Sequence, residues 1–383
     1  MNIFKKYQII IGITYKEMPL KPSILKGVEN MLGINKIESF VTNKEDFLLL
    51  EDNSGRIRIN SELSKINIGE FISGIPLCFK GCLDNKGLFI VKDFLFHSPE
   101  INNINHNKIN DNKNLILFLS SLEIGHPNEK NGKSILGRNM LLHFIQNLNN
   151  LNEKSYNISN KISRIILCGN SIYSPDDSEE VEKGSYIKQE LNTRIYETIL
   201  NNYDKLDEYI QKISNYIPID IIPGIKDING EYFPQMGINQ LLFERNNNSI
   251  NKTLFLVNDP HSFYINNIHF LGTSGYNINS IKQITTFKNN LDIMEKIILW
   301  GHLAPNAPDT LRIYPYQKND PLILNTIPDV FFCGGNNFEF RKSNFKGKDI
   351  LYISLPNFRK TLSGVIYNMD NGNLNEINFY FIN

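Results

Sequence analysis

Residues 115–125, Leu-Ile-Leu-Phe-Leu-Ser-Ser-Leu-Glu-Ile-Gly, decide the fold of this chain. The apolar run that opens the stretch is typical of a buried parallel strand. The run ends in the polar residues Ser120, Ser121 and Glu123, which are placed where a buried strand would leave its sheet. The stretch therefore indicates a layered α/β domain with polar side chains at the end of a buried strand.

Three later segments repeat this pattern, each with an apolar strand running into residues poorly suited to hold a metal ion. They are residues 164–170, 219–227 and 330–337. His302, in a Trp-Gly-His sequence, is a further candidate. The candidate site positions, in chain order, are Ser121, Glu123, Asn170, Tyr173, Ile225, Lys226, Asp227, His302, Gly335 and Asn337.

These four segments resemble the motifs of the calcineurin-like metallophosphoesterases. In that family Asp and His stand at the positions of Ser121 and Glu123, and a metal-bridging Asp stands at Asn170. The histidine that protonates the leaving group is replaced by Lys226, and only Asp227 keeps the family's residue.

At the remaining positions, too, the family's metal ligands are replaced. Tyr173 replaces an Asp, Ile225 replaces a ligand Asn, and Gly335 and Asn337 replace two His ligands. For His302 two interpretations stay open, a buried hydrogen-bonded histidine or a residual metal contact.

The chemistry of these substitutions predicts that the chain is not an enzyme and holds no metal or other cofactor. A two-metal hydrolase needs several carboxylate and imidazole ligands around two ions about 3.5–4 Å apart. Ser121 and Asn170 are weak neutral donors, Ile225 donates nothing, and Lys226 would repel a cation. We expect a degenerate phosphoesterase domain.

A second resemblance covers almost the whole chain, to the B (small) subunits of the replicative DNA polymerases, with the delta branch closer than the alpha and epsilon branches. It is carried by Phe-Leu-Gly-Thr-Ser-Gly-Tyr-Asn at 270–277, His-Leu-Ala-Pro-Asn-Ala-Pro-Asp-Thr-Leu at 302–311 and Met-Pro-Leu-Lys-Pro-Ser-Ile-Leu at 18–25.

This resemblance implies a non-catalytic scaffold subunit in nuclear DNA replication. The implied partners are the C-terminal metal-binding domain of a delta-type catalytic subunit and a further accessory subunit. DNA would be contacted indirectly, through the complex, and no membrane is involved.

Turn signals and short apolar runs predict two domains joined by a linker. Residues 1–99 suggest an OB-fold barrel, with a helical piece at about 22–32. The barrel's five strands are expected at 8–15, 47–51, 56–60, 71–79 and 88–96. Residues 100–114 are Asn-rich and are predicted to be the linker.

Residues 115–383 are predicted to form the degenerate α/β sandwich. Its strands are expected to centre on Ile116, Ile166, Ile219 and Phe331. Its helices are expected at 134–148, 186–214 and 280–300, and the strand-rich stretch 349–381 is expected to complete the second sheet. The Gly-Thr-Ser-Gly segment at 272–275 favours a structural turn with a capping residue over a phosphate-binding loop.

Composition limits the alternatives. Lys plus Arg and Asp plus Glu both number 40, so the net charge of zero weakens the case for a protein built to grip phosphates. No apolar stretch approaches the roughly 18–20 residues of a membrane span. The four cysteines lie mostly in apolar runs and suggest buried thiols in a reducing compartment.

Two other functions stay open on the sequence. One is an active metal-dependent phosphoesterase or nuclease. The other is a single-strand DNA-binding protein, although at strand spacing most of the barrel's aromatic residues would point into its core.

Overall fold

A computed structural model of the chain describes residues 7–21, 42, 44–97, 99–100, 113–146, 157–175, 185–229, 232–247, 253–316 and 318–380. The chain divides into two compact units. The first comprises residues 1–102 and 277–327, and the second residues 103–276 and 328–383. The sequence-based division into 1–99, 100–114 and 115–383 stays a prediction. The packing adds that the segment 277–327 lies in the same compact unit as the N-terminal strands.

The first unit contains one five-stranded antiparallel sheet in the order β3-β2-β1-β4-β5. Its strands are β1 (Gln8–Glu17), β2 (Phe47–Asp52), β3 (Gly55–Arg58), β4 (Pro76–Leu83) and β5 (Phe89–Phe96). An isolated parallel bridge joins Ile59, just after β3, to Phe89 on β5. Leu48, Phe79, Phe89 and Val91 fill the core of this sheet at 0% exposure.

The five predicted strands of this unit are present, but the fourth starts later than expected. It begins at Pro76 and not at residue 71. The backbone before it turns at Gly74, whose φ is +90°, and a Cβ there would lie 2.0 Å from the carbonyl oxygen of Pro305. The helical piece predicted at 22–32 and most of the predicted linker lie outside the described residues.

The segment 277–327 carries two helices where the sequence suggested one over 280–300. They are α4 (Tyr276–Gln283) and α5 (Asn290–Trp300). The single-helix prediction is wrong because Asn289 caps a new helix, its side chain accepting hydrogen bonds from the amides of Leu291 and Asp292 at 2.7 and 3.2 Å. A buried ammonium ties the segment to the sheet, since Lys16 Nζ on β1 donates to the carbonyl of Ile284 at 2.8 Å.

The second unit is a sandwich of two mixed sheets, in the orders β16-β15-β6-β7-β8-β9 and β10-β11-β12-β14-β13. The first sheet is built from β6 (Leu115–Ser120), β7 (Ile162–Cys168), β8 (Ile219–Ile222), β9 (Leu254–Leu256), β15 (Ser363–Asn368) and β16 (Leu374–Asn378). The second is built from β10 (His261–Ile265), β11 (Ile268–Thr273), β12 (Val330–Gly334), β13 (Glu339–Phe345) and β14 (Lys348–Leu355).

The four predicted strand centres lie in β6, β7, β8 and β12, which confirms those strands. The prediction for 349–381 is right about strand content and wrong about the sheet. Only β14 joins the second sheet, whereas β15 pairs antiparallel with β6 and carries β16 with it.

Two cores flank the first sheet. Phe118 and Ile166 pack against Phe270 and Phe332 between the two sheets. On the opposite face, Leu117 and its neighbours pack against the helices. The described helices of this unit include α1 (Lys133–Gln146), α2 (Ser185–Ser214), α3 (Glu244–Asn247) and α6 (Phe358–Thr361), so the predicted helices at 134–148 and 186–214 are confirmed. Among the described helices, none is both long and apolar enough to cross a bilayer.

Candidate functional site

The candidate site lies at the carboxyl ends of β6, β7 and β8, which are parallel neighbours in one sheet. Three of the sequence-predicted residues there have left-handed backbones, with φ of 56° at Ser121, 46° at Glu123 and 50° at Asn170. Such conformations are rare for residues other than Gly and are held only where surrounding bonds fix them. The amide of Ser121 donates to the carbonyl of Gly169, and that of Glu123 donates to the carbonyl of Asn170, both at 3.1 Å.

The Glu123 side chain is hydrogen-bonded to residues that are distant in sequence. It is 5% exposed, and Arg359 Nε donates to its Oε2 at 2.7 Å. Asn357 Nδ2 donates to its Oε1 at 3.0 Å, and the amide of Arg359 donates to the carbonyl of Ser121 at 3.2 Å. Each oxygen of this carboxylate therefore already accepts a hydrogen bond.

The electrostatics keep this carboxylate ionised. Burial by itself would raise the pKa of Glu123, but hydrogen bonds from Asn357 and Arg359, with the positive charges of Arg359 and Lys226, lower it overall. The same cations act on His126, whose pKa is lowered by burial and then by Arg359. Glu123 thus balances a local excess of positive charge.

Asp227, the one residue that matches the phosphoesterase pattern, is hydrogen-bonded mainly to backbone amides. It is 4% exposed. Its carboxylate accepts from Gly224 N at 2.7 Å, from Ser171 N at 3.1 Å and from Ile172 N at 3.4 Å. Burial raises the pKa of Asp227 to about 6. These amide bonds, and a hydrogen bond from the Tyr203 hydroxyl, act in the opposite direction and lower it. Its role is to join the loops that follow β7 and β8.

Asn170, Lys226 and Tyr173 lie together between these loops. Asn170 Oδ1 accepts from the amide of Lys226 at 3.2 Å. Lys226 Nζ stands 6.0 Å from the centre of the Tyr173 ring, and the His126 ring contacts the same tyrosine at 4.7 Å between centroids. An ammonium group here opposes the binding of a metal cation.

The other predicted positions contribute no clustered donors. Ile225 is 41% exposed. Gly335 is half-buried and Asn337 exposed, in the turn after β12. His302 lies in the first unit, where its Nε2 is 3.0 Å from Asp320 Oδ2 and its Nδ1 accepts from the amide of Ala304 at 3.1 Å. Of the two interpretations, this geometry fits the hydrogen-bonded histidine.

Sequence reasoning missed Asn357 and Arg359, the partners of Glu123, since no strand-end motif marks them. It also missed Asp259, which is fully buried and accepts hydrogen bonds from the hydroxyl and amide of Ser274. In the Gly-Thr-Ser-Gly segment, Ser274 Oγ accepts from the amide of Tyr276 at 3.4 Å, which agrees with a structural turn and its capping residue.

The residues at the strand ends do not fit the two metal ions that the phosphoesterase pattern implies. Glu123 is paired with Arg359, Asp227 is bonded to three amides, and Lys226 adds a positive charge. Within the described part of the chain, no three His, Cys, Asp or Glu side chains form a group that could hold a metal ion. No reaction step can be derived through such ions.

Comparison with known proteins gives the family. A sequence model described as the B subunit of DNA polymerase alpha/epsilon matches residues 116–342, and one described as DNA polymerase delta subunit OB-fold domain matches residues 3–94. The second match supports the OB-fold prediction for the N-terminal strands.

Two similar curated proteins are both described as DNA polymerase delta small subunits. The DNA polymerase delta small subunit of Arabidopsis thaliana is 30% identical over 379 residues, covering 97% of this chain and 81% of the relative. The protein of the same name from Saccharomyces cerevisiae is 29% identical over 395 residues, covering 94% and 76%.

A solved structure, TT1561 of Thermus thermophilus, covers 70% of this chain and 99% of its own at 8% identity, with a TM-score of 0.33 that is too low to establish a shared fold. The family rests on the matches in sequence. The chain belongs to the B-subunit family of the replicative DNA polymerases, and its curated relatives lie in the delta branch.

Proposed function

We propose that this chain is a non-catalytic accessory subunit of a delta-type DNA polymerase that acts in nuclear replication. It binds the C-terminal metal-binding domain of the catalytic subunit and a further accessory subunit, and it contacts DNA only through the complex. The second unit is a calcineurin-like phosphoesterase sandwich that has lost its chemistry.

The observation that carries the proposal is the ion pair at the old ligand position. Arg359 lies 2.7 Å from Glu123, where a phosphoesterase would hold its first metal. Both side chains are largely buried, at 18% and 6% exposure, so a cation bound to Glu123 would have to compete with the Arg359 guanidinium. A fold can persist as a scaffold after its site has been lost.

The barrel offers little support for the single-strand-binding alternative. Base stacking needs exposed aromatic rings along a basic groove. Phe79 and Phe89 are 0% exposed and Phe71 is 5% exposed, whereas Tyr7 is 60% exposed. Arg58 and Arg56 are stacked over Phe47 and Tyr15 at 3.9 and 5.2 Å, so these rings already have cationic partners.

Co-expression with the delta-type catalytic subunit of the same organism tests the proposal. We expect stoichiometric co-elution on size exclusion, and loss of the complex when the catalytic chain lacks its C-terminal metal-binding domain. A truncation of equal length elsewhere in that chain serves as the matched control. Elution of this protein alone, or equal binding to the tail-less catalytic chain, would contradict the proposal.

A further inference from the structure

A groove in the second unit lies away from the strand-end site. It runs between α2 and the short 3-10 helix Gln240–Leu242 with the adjoining α3, and its volume is about 490 Å³. Tyr203 and Leu242 line it, with Tyr203 1% exposed and Leu242 partly buried against the helical core. Volumes of this size accommodate a few side chains rather than a whole domain.

Two leucines that line the groove are left in solvent. Leu200 on α2 is 52% exposed and Leu241 on the opposite side is 76% exposed. Tyr196, one helical turn before Leu200, is 61% exposed and extends the apolar stripe along α2. Contiguous exposed apolar residues rimmed by polar ones are typical of protein interaction sites.

The rest of the groove is acidic. Among the described residues, Asp204, Asp207 and Glu244 line it together with one cation, Arg245. Three carboxylates against one guanidinium leave an excess of two negative charges. The Arg245 guanidinium is already bonded, with Nη1 2.5 Å from Asp204 Oδ1. A ligand that enters between the leucines therefore meets unbalanced negative charge.

A network of buried hydrogen bonds holds one side of the groove in place. Asn246 Nδ2 donates to Asp207 Oδ1 at 2.6 Å, and its own Oδ1 accepts from Ser214 Oγ at 2.7 Å. The amide of Arg245 donates to Asp207 Oδ2 at 2.9 Å. These bonds fasten α3 to α2, so binding would cost little entropy to order the site.

We propose that this groove binds a short basic segment of a protein partner in the polymerase assembly. Apolar side chains of that segment pack between Leu200 and Leu241, and its Lys or Arg residues lie against Asp204 and Glu244. The charge of the groove selects a basic occupant over an acidic or neutral one. This inference rests on the proposed function, because the assembly supplies the partner.

Two groove variants and one control test the inference in the co-expressed complex. Leu241→Asp replaces the most exposed apolar contact, and Glu244→Lys reverses an exposed charge. Tyr216→Asp, at a residue 53% exposed and outside the groove, is the matched control. All three positions are exposed, so circular dichroism should record unchanged melting for each variant.

The readout is the dissociation constant of the complex, measured by biolayer interferometry at two salt concentrations. We expect Leu241→Asp to weaken binding about tenfold or more, and Glu244→Lys to weaken it less and reduce its salt dependence. Tyr216→Asp should bind as the wild type does.

The outcomes separate the groove from the function. A wild-type chain that forms no complex overturns both proposals. A wild-type complex that Leu241→Asp and Glu244→Lys leave unchanged overturns the groove alone. Self-association of this chain that both groove variants abolish, with the complex intact, would also overturn it by assigning the groove to a second copy.

Discussion

The loops after β6 and after β8 each bury one carboxylate at a position predicted from the phosphoesterase pattern, and they stabilise it in opposite ways. Glu123 is 5% exposed and stays ionised beside Arg359, whereas Asp227 is 4% exposed, bonded to backbone amides, and has a pKa raised to about 6. Glu123 accepts one hydrogen bond at each carboxylate oxygen, and Asp227 accepts several from backbone amides. The hydrogen-bond partners of each carboxylate, more than its position at a strand end, therefore decide what it can do.

The largest effect is expected from removing the acceptor after β8. Asp227→Ala leaves the amides of Gly224, Ser171 and Ile172 without their partner in a buried place, which should lower the free energy of unfolding by about 3–5 kcal/mol. Asp227→Asn keeps one acceptor oxygen and should cost much less. Urea denaturation followed by circular dichroism measures both. Equal costs for the two variants would mean that the amide bonds contribute little.

The pH dependence of the two carboxylates should run in opposite directions. The pKa of Asp227 rises from 3.8 to about 6 on folding, so the native state binds more protons between these values, and the stability from this group falls as pH rises through them. The stability advantage of the wild type over Asp227→Asn should therefore shrink by about 2–3 kcal/mol between pH 4 and pH 6.5.

The stability contribution of Glu123 should show the opposite pH dependence. Its pKa is lowered on folding, so its contribution is present above its unfolded pKa and disappears as pH falls through the folded value. The advantage of the wild type over Glu123→Gln should decrease on acidification. Parallel trends for the two variants would refute the contrast between the loops.

Breaking the ion pair after β6 should have a somewhat smaller effect. Arg359→Met leaves the buried Glu123 carboxylate with Asn357 alone and should cost about 2 kcal/mol, discounted for the 18% exposure of the guanidinium. Lys360→Met, at the exposed neighbour, should lie within about 0.5 kcal/mol of the wild type. The double variant Glu123→Gln with Arg359→Met should recover part of the loss, and strict additivity would indicate that the pair is not coupled.

The smallest effect is expected at His302. Its imidazole is bonded to Asp320, which is 37% exposed, so His302→Gln should change stability by less than about 1 kcal/mol. Added Mn²⁺ should leave the melting temperature of the wild type and of this variant unchanged. A metal-induced rise in melting temperature that His302→Gln removes would restore the residual-ligand interpretation.

Strands were the most predictable part of the fold, because apolar runs such as that at Ile116 record burial directly. Their partners were harder to predict. β15 and β16 belong to the first sheet because Val365 on β15 pairs with Phe118 on β6. These two residues are far apart in sequence, and no local pattern encodes such a pairing. The break between α4 and α5 was predictable in principle, since Asn289 before an apolar helix is a capping signal.

The candidate site was predictable in position and not in bonding. The strand-end motifs drew attention to Glu123 and Asp227, which follow β6 and β8 in the structure, and the chemistry of Lys226 already argued against a cation. The bonds from Asn357 and Arg359 to Glu123 span 234 and 236 residues of sequence, so only the folded chain brings them together. The amides that bind Asp227 carry no side-chain signature at all.

Elemental analysis of the purified protein after dialysis against Mn²⁺, paired with hydrolysis of a generic phosphodiester, tests most directly whether the hydrogen-bonded carboxylates of Glu123 and Asp227 can hold metal ions. We expect well under one Mn²⁺ per chain and no metal-dependent turnover. Two tightly bound ions per chain, with hydrolysis that Asp227→Asn abolishes, would contradict this interpretation.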